Sequence, residues 1–321
     1  MKAARYYAGG DIRIEEVCLP EHSGGDLVLS NVACALCSGE LMSWYMDRKA
    51  PTVIGHEVCG IVEHSFDSRF PVGSLVIPHH HAACERCPAC KRGAHVHCAQ
   101  WKATRLIPGG MSEKCIVPSQ NLADCHVADD LSAQDAALAE PIACVYKSVM
   151  RGRPVSGARA AVIGLGSFGL MHSLVLKREG LVPVGIELRP ERRGWAEKLG
   201  IAAVEKTDEK FEFIWVCPGS EEALRLALSI ATPNASVVMF APFAPESPLS
   251  LDFEALYFTD LKICFSYSAG PHDMQAALFA LREKVITATQ VVSDFISLEE
   301  LPQAYEAMKR GEILKPMVMF Q

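Results

Sequence analysis

Cys84, Cys87, Cys90 and Cys98 lie in the segment HAACERCPACKRGAHVHC with the spacing C-x2-C-x2-C-x7-C. Gaps of two residues let successive thiolates turn inward on one loop, and a fourth thiolate seven residues on closes a tetrahedron, the closed arrangement of a structural zinc. Four thiolates outweigh a divalent cation in charge, and Arg86, Lys91 and Arg92 in the same loop can offset the excess. With all four positions filled, no place remains for a substrate. His79, His80, His81, His95 and His97 border the loop; since the cysteines already complete a shell, these histidines read as surface or packing residues.

A second constellation lies upstream, where ACALCSGE is followed by APTVIGHEVCG. Cys37, His56 and Glu57 offer a thiolate, an imidazole and a carboxylate, the mixed donor set of a catalytic zinc, whose fourth position stays open to an alcohol oxygen. Glu140, in LAEPIACVYKS, is a second candidate carboxylate. Zinc with one thiolate, one neutral imidazole and one carboxylate is neutral overall. Adding both carboxylates would make the site anionic and weaken its Lewis acidity. One of Glu57 and Glu140 is therefore expected to bind directly at a time, with the other standing behind it or exchanging with water. Cys34 and Cys59 flank these ligands and read as ordinary buried thiols, while Met42, Trp44, Tyr45 and Met111 fit a pocket lining and a core equally well.

The third constellation is G-L-G-S-F-G, formed by Gly164, Gly166 and Gly169 with Ser167 and Phe168 between the last two. It follows the apolar run ARAAVI and precedes a helical pattern, which is the strand–turn–helix setting of a dinucleotide site. The first glycine permits the tight turn and the second admits a pyrophosphate. The third lets the helix pack on the strand, with the phosphates over the helix N-terminus. Glu187 ends the next strand, VPVGIE, 18 residues beyond Gly169. Such an acid holds the adenosine ribose diol and repels a 2′-phosphate, so NAD is expected over NADP. Arg189 joins the cofactor-binding candidates. With Arg192 and Arg193 it could grip a 2′-phosphate, the feature favouring NADP, although these arginines also suit a solvated helix start.

The elements that must carry these residues fall into two textures. Residues 1–140 read as short strands such as DLVLSNVAC, GSLVIP and EKCIVP, broken by turn pairs, with little that resembles a long amphipathic helix. From about residue 141 helical and strand patterns alternate through IACVYKSVMRG, ARAAVIG, SFGLMHSLVLKREG, VPVGIE, PERRGWAEKLG, FEFIWVCP, EEALRLALSIAT, ASVVMFAP and LKICFSY. That alternation predicts a parallel, doubly wound sheet. The last 50 residues return to a mixed texture, with helices at HDMQAALFALREK and LEELPQAYEAMKRG and a closing strand KPMVMF. The division is a β-rich domain interrupted by a nucleotide-binding one.

The bulk properties agree. A chain of 321 residues exceeds one ordinary core, and 50% hydrophobic with 21% charged residues is a globular composition. The net charge of −7, with no basic block, disfavours nucleic acid and anionic membranes as partners. The N-terminal MKAARYYAGGDIRIEEV has no apolar signal core, and AAVIGLGSFGLMHSLVL is interrupted by glycines and His172. A cytoplasmic protein is expected, and in that reducing setting 13 cysteines suggest metal rather than disulfides.

Taken in order, Cys37, the GHE at 55–57, the cysteine quartet, PGGMSE at 108–113, EP at 140–141, the glycine motif and the ending MKRGEILKPMV resemble the zinc-containing medium-chain dehydrogenase/reductase family, nearest its threonine and sorbitol dehydrogenase branch. The match spans nearly the whole chain. The resemblance implies an α/β architecture: a GroES-like β-rich catalytic domain over 1–143 and 268–321, and a Rossmann domain with a doubly wound parallel sheet over 144–267. It also implies an active site in the cleft between them, two zincs per chain (one catalytic, one structural), and a homodimer or homotetramer. The implied reaction moves a hydride between a secondary alcohol or polyol and NAD. One departure stands out. The family's hydroxyl residue two places after the ligand cysteine is Gly39 here, with Ser38 one place early, and Met42 stands where many members have a relay histidine. Ser38, Ser43, Tyr45 or a water with a glutamate are the substitutes on offer. The competing function is a non-catalytic zinc- and nucleotide-binding sensor or scaffold, against which the intact Cys37, His56 and Glu57 set argues.

Overall fold

The nine-residue strand Leu27–Ala35, with apolar positions buried nearly throughout, is the spine of the first structural unit. The computed structural model describes residues 1–321 and divides into Met1–Ala143 with Ala269–Gln321, and Cys144–Ser268. In the first unit one sheet runs in the order Asp294–Ile296, Pro316–Met319, Leu27–Ala35, Glu57–His64, Leu75–Pro78 and Cys125–Val127. Lys114–Val117 pairs with the first residues of the spine. The pairs are antiparallel except for Asp294–Ile296 beside Pro316–Met319. A separate three-stranded sheet holds Asp11–Glu16, Lys2–Tyr7 and Thr52–Val53. Leu29, Val58, Val62, Val76, Val117 and Tyr305 belong to the core of this unit. The α-helices before Ala139 are only four or five residues long, as the dense turn residues dictate.

Register is what this unit contributes to function. Ala35 stands opposite Glu57 on one side and opposite Met317 on the other. Cys37, the start of the strand Glu57–His64 and Lys315 therefore meet at one end of the sheet, where Leu36 N donates to Pro316 O at 3.0 Å.

The second unit is a six-stranded parallel sheet in the order Ala202–Val204, Val182–Ile186, Arg159–Ile163, Phe211–Val216, Ala231–Met239 and Lys262–Phe265. Helices Ser167–Arg178, Pro190–Lys198, Glu221–Ser229 and Phe253–Phe258 lie in the crossovers. Covered on both faces, the central strand buries Ala160 through Ile163 without alternation. One element differs from the sequence pattern. The helix expected through EEALRLALSIAT stops at Ser229, and Ala231 and Thr232 open the strand Ala231–Met239 because Phe211 N already bonds Ile230 O at 2.8 Å. No helix is long and apolar enough to cross a membrane.

Candidate functional site

The cysteine quartet closes on itself. The four sulfur atoms lie within 4.8 Å of one another. Cys87 Sγ is 3.5 Å from Cys90 Sγ, and Cys84 N donates to Cys98 Sγ at 3.4 Å. Burial pushes the Cys98 thiol up, but backbone N–H groups of Cys84 and Trp101 outweigh it and bring the group down to about 6. Cys87 is lowered too, chiefly by the Cys90 N–H. A loop whose amides point at sulfur favours thiolates, the form a metal needs. Val96 and Trp101 with Ala83 form a small core of their own around it.

The Cys37 site is assembled from separate strands. Cys37 caps the single turn Ser38–Leu41, its Sγ accepting from Gly39 N at 3.4 Å. Glu40, 4% exposed, accepts from Cys37 N at 3.3 Å and Gly55 N at 2.7 Å, and lies 3.3 Å from His56 Nδ1. One buried carboxylate thus fixes both donors, and a histidine held at Nδ1 is free to ligate through Nε2. Burial disfavours a charged His56, yet Cys37 and Glu40 outweigh it and hold its pKa well above the usual 6.5. Gly55 has φ +94°, and a Cβ there would stand 2.5 Å from Met111 N, so only glycine serves in this G-H-E turn.

Glu57 is fully buried and faces an equally buried Lys315, Nζ to Oε2 2.5 Å. Lys315 also donates to Leu36 O at 3.1 Å. Burial raises the Glu57 carboxyl; burial also works to lower Lys315, but Glu57, Cys37 and Glu140 together outweigh it and leave the lysine raised. Glu57 Oε1 has no hydrogen-bond partner. The donor atoms of Cys37, His56 and Glu57 lie within 4.8 Å of one another. Glu140 is grouped differently: its carboxylate lies with His79 and His80 in a cluster of the same dimensions.

The sequence shows Lys315 only as a lysine before an apolar strand, and Glu40 only as an acid after a cysteine; neither pattern reveals a role for it. The signal they carry is a charged residue adjoining runs that must be buried. Met111 is core, at 0% exposure, whereas Met42, Trp44 and Tyr45 are half-buried. Cys34 and Cys59 are buried thiols, Cys59 pointing at Ala133 O.

In the second unit a Cβ on Gly169 would run into the Gly164 carbonyl, while one on Gly166 would meet nothing within 4 Å. The third glycine is thus required by helix–strand contact, and the second faces open space. Ser167 is the first residue of its helix, whose cap Gly166 supplies no side-chain acceptor, and the Phe168 ring packs tilted against Phe240 with centroids 4.7 Å apart. Glu187, 8% exposed, accepts from Leu165 N at 2.9 Å and Arg189 N at 3.0 Å. Those bonds fasten its carboxylate to the glycine turn. Arg192 stands 3.8 Å from it, and Arg193 donates to the Glu187 and Leu188 carbonyls at 2.8 Å.

Residues 23–127 match the alcohol dehydrogenase GroES-like domain. Sorbitol dehydrogenase of Bacillus subtilis (strain 168) is 27% identical over 99% of this chain and 97% of its own. L-threonine 3-dehydrogenase of Rhizobium rhizogenes is 24% identical, covering 93% of this chain and 92% of its own. Among solved structures, an alcohol dehydrogenase from Thermus sp. ATN1 superposes with a TM-score of 0.87 at 25% identity over the whole of both chains.

Proposed function

Since the chain belongs to the zinc-containing medium-chain dehydrogenase/reductase family, we propose that it transfers a hydride between a secondary alcohol or polyol and NAD. The observation that carries this is the Cys37, His56 and Glu57 cluster, in which a fully buried Glu57 keeps an oxygen with no partner. A buried carboxylate oxygen in that state is costly unless a cation meets it. The donor set fits zinc: a thiolate, an imidazole and a carboxylate are its borderline-soft ligands. Cys37, His56 and one of Glu57 and Glu140 would hold the ion, and Cys84, Cys87, Cys90 and Cys98 a second, structural one. The first ion would supply Lewis acidity toward an alcohol or carbonyl oxygen. Around it, Glu40 orients His56 and the turn carrying Cys37, and Lys315 anchors Glu57 from behind.

The dinucleotide would lie on Gly164, Gly166, Ser167, Phe168 and Gly169, its phosphates facing the amides that begin the helix Ser167–Arg178. Glu187 would accept the ribose hydroxyls with its remaining lone pairs and disfavour a 2′-phosphate, with Arg189 beside it; this supports NAD over NADP. None of the thirteen cysteines is joined in a disulfide, which suits the reducing cytoplasm. Phe253, Tyr257, Phe258, Phe265 and Tyr267 stand exposed on and around the edge strand Lys262–Phe265, support for a homodimer or homotetramer.

The test is reduction of NAD and of NADP by zinc-replete protein over a panel of polyols, amino alcohols and simple secondary alcohols. Turnover with NAD and at least one secondary alcohol is expected, with a narrower NAD preference in Glu187→Ala. No turnover of either cofactor across the panel, with zinc present at the Cys37 site, would leave a binding protein.

A further inference from the structure

His79, in the turn after the strand Leu75–Pro78, is 0% exposed and places Nδ1 2.6 Å from Asp124 Oδ2. Asp124, 2% exposed, also lies 3.3 Å from His126 Nε2. An ionised carboxylate can only accept, so His79 carries its proton on Nδ1 and turns the lone pair of Nε2 the other way. That Nε2 lies in the interior with no partner. An imidazole gripped at one nitrogen by a buried carboxylate and bare at the other is the arrangement of a metal-binding histidine. His80 supplies a second buried, partnerless nitrogen, Nδ1. Glu140, 6% exposed, supplies a carboxylate, and His79, His80 and Glu140 each offer one donor atom within 4.8 Å of the other two.

We propose that His79 Nε2, His80 Nδ1 and Glu140 form a further divalent-cation position, distinct from the one at Cys37, His56 and Glu57. Two imidazoles and a carboxylate are a donor set that zinc takes. The two positions share a wall, since the His56 and His80 rings are 4.8 Å apart. The inference rests on the first reading only in assigning Glu140 to the further position, leaving Glu57 as the carboxylate of the Cys37 site.

The experiment uses the full-length chain, dialysed against zinc and freed of loose metal. Elemental analysis is expected to find a third zinc, which His79→Gln and His80→Gln lose while keeping the other two. Crystals of the wild type, mapped at the zinc absorption edge, are expected to show an ion at roughly 2.0–2.2 Å from the two nitrogens and Glu140. That map needs no variant, so a misfolded His79→Gln would not blunt the test. Cobalt exchanged into the labile positions separates this proposal from the first. With the quartet's zinc retained, a thiolate-to-cobalt absorption band reports the Cys37 site, and its absence would count against that site. Added cobalt without added thiolate absorption reports the further position. Two zincs at saturation, a third that survives both substitutions, or one ion on Cys37, His56 and Glu140 with His79 and His80 bare would each overturn it.

Discussion

The two cysteine-bearing clusters of the first unit follow opposite plans. The quartet draws every donor from one short loop, Cys84 to Cys98, and settles its sulfurs with that loop's own amides. The Cys37 cluster draws donors from the end of one strand and the start of another, and steadies them with Glu40 and a lysine from near the C-terminus. The first plan uses sulfur alone and saturates its centre; the second mixes donors and buries charge. What this teaches is where each cluster's energy goes. A closed thiolate site puts its binding energy into folding. A mixed site with an open position leaves that energy available for a substrate.

Removing a donor from the mixed cluster tests this most severely. His56→Asn and Cys37→Ala are expected to abolish alcohol oxidation while melting within a few degrees of wild type. Turnover, zinc content and thermal unfolding measured together check it. A melting temperature as low as that of a quartet variant would mean the two clusters do not differ in the way described.

The converse is a quartet variant that hurts the fold first. Cys90 is 6% exposed, and Cys90→Ser removes one of four sulfurs from a closed shell. A loss of about 3 kcal/mol would lower the melting temperature by roughly 6–12 °C for a unit of this size. Unfolding scans with zinc analysis check it; an unchanged melting temperature with full zinc would show that the loop is not a metal site.

A milder change acts through Glu40. It touches His56, Cys37 N and Gly55 N, so Glu40→Gln weakens the support without removing a donor. Outer groups of this kind are worth about 10–100-fold in metal affinity. Competition with a zinc chelator is expected to show a loss in that range at the Cys37 site and none at the quartet.

The contrast also explains what the sequence could and could not reveal. The quartet was legible because its geometry is local: two-residue gaps dictate where sulfurs point. The glycine turn was legible for the same reason, its third glycine being forced by the Gly164 carbonyl. The alternation after residue 141 and the short strands before it carried the fold class. Lys315, Glu40 and the pairing of His79 with Asp124 were not legible. Lys315 meets Glu57 only through the register that sets Ala35 opposite both Glu57 and Met317, and no spacing rule encodes a contact so distant in the chain. The early end of the helix Glu221–Ser229 was likewise decided by a partner strand rather than by its own residues.

The smallest expected effect concerns the hydroxyl that the site lacks. A Cβ built on Gly39 would lie 3.4 Å from Cys37 Sγ and 3.6 Å from Met42 Cε, so position 39 is the one that abuts the thiolate. Ser38 opens the same turn one residue earlier and is half-buried. In the proposed reaction a metal at the Cys37 site would supply the Lewis acidity, and a relay group would only carry the proton away. Losing a working relay costs on the order of 10²–10⁴-fold. Ser38→Ala is therefore expected to change turnover by less than about twofold, well short of that general acid–base cost. Gly39→Ser, which meets only ordinary contacts, would instead place a hydroxyl beside Cys37 and is expected to alter the pH profile of turnover more than Ser38→Ala does. Both profiles, taken with zinc content verified, decide the point. A collapse in Ser38→Ala with its zinc retained would mean that the chain keeps a hydroxyl relay from the shifted position.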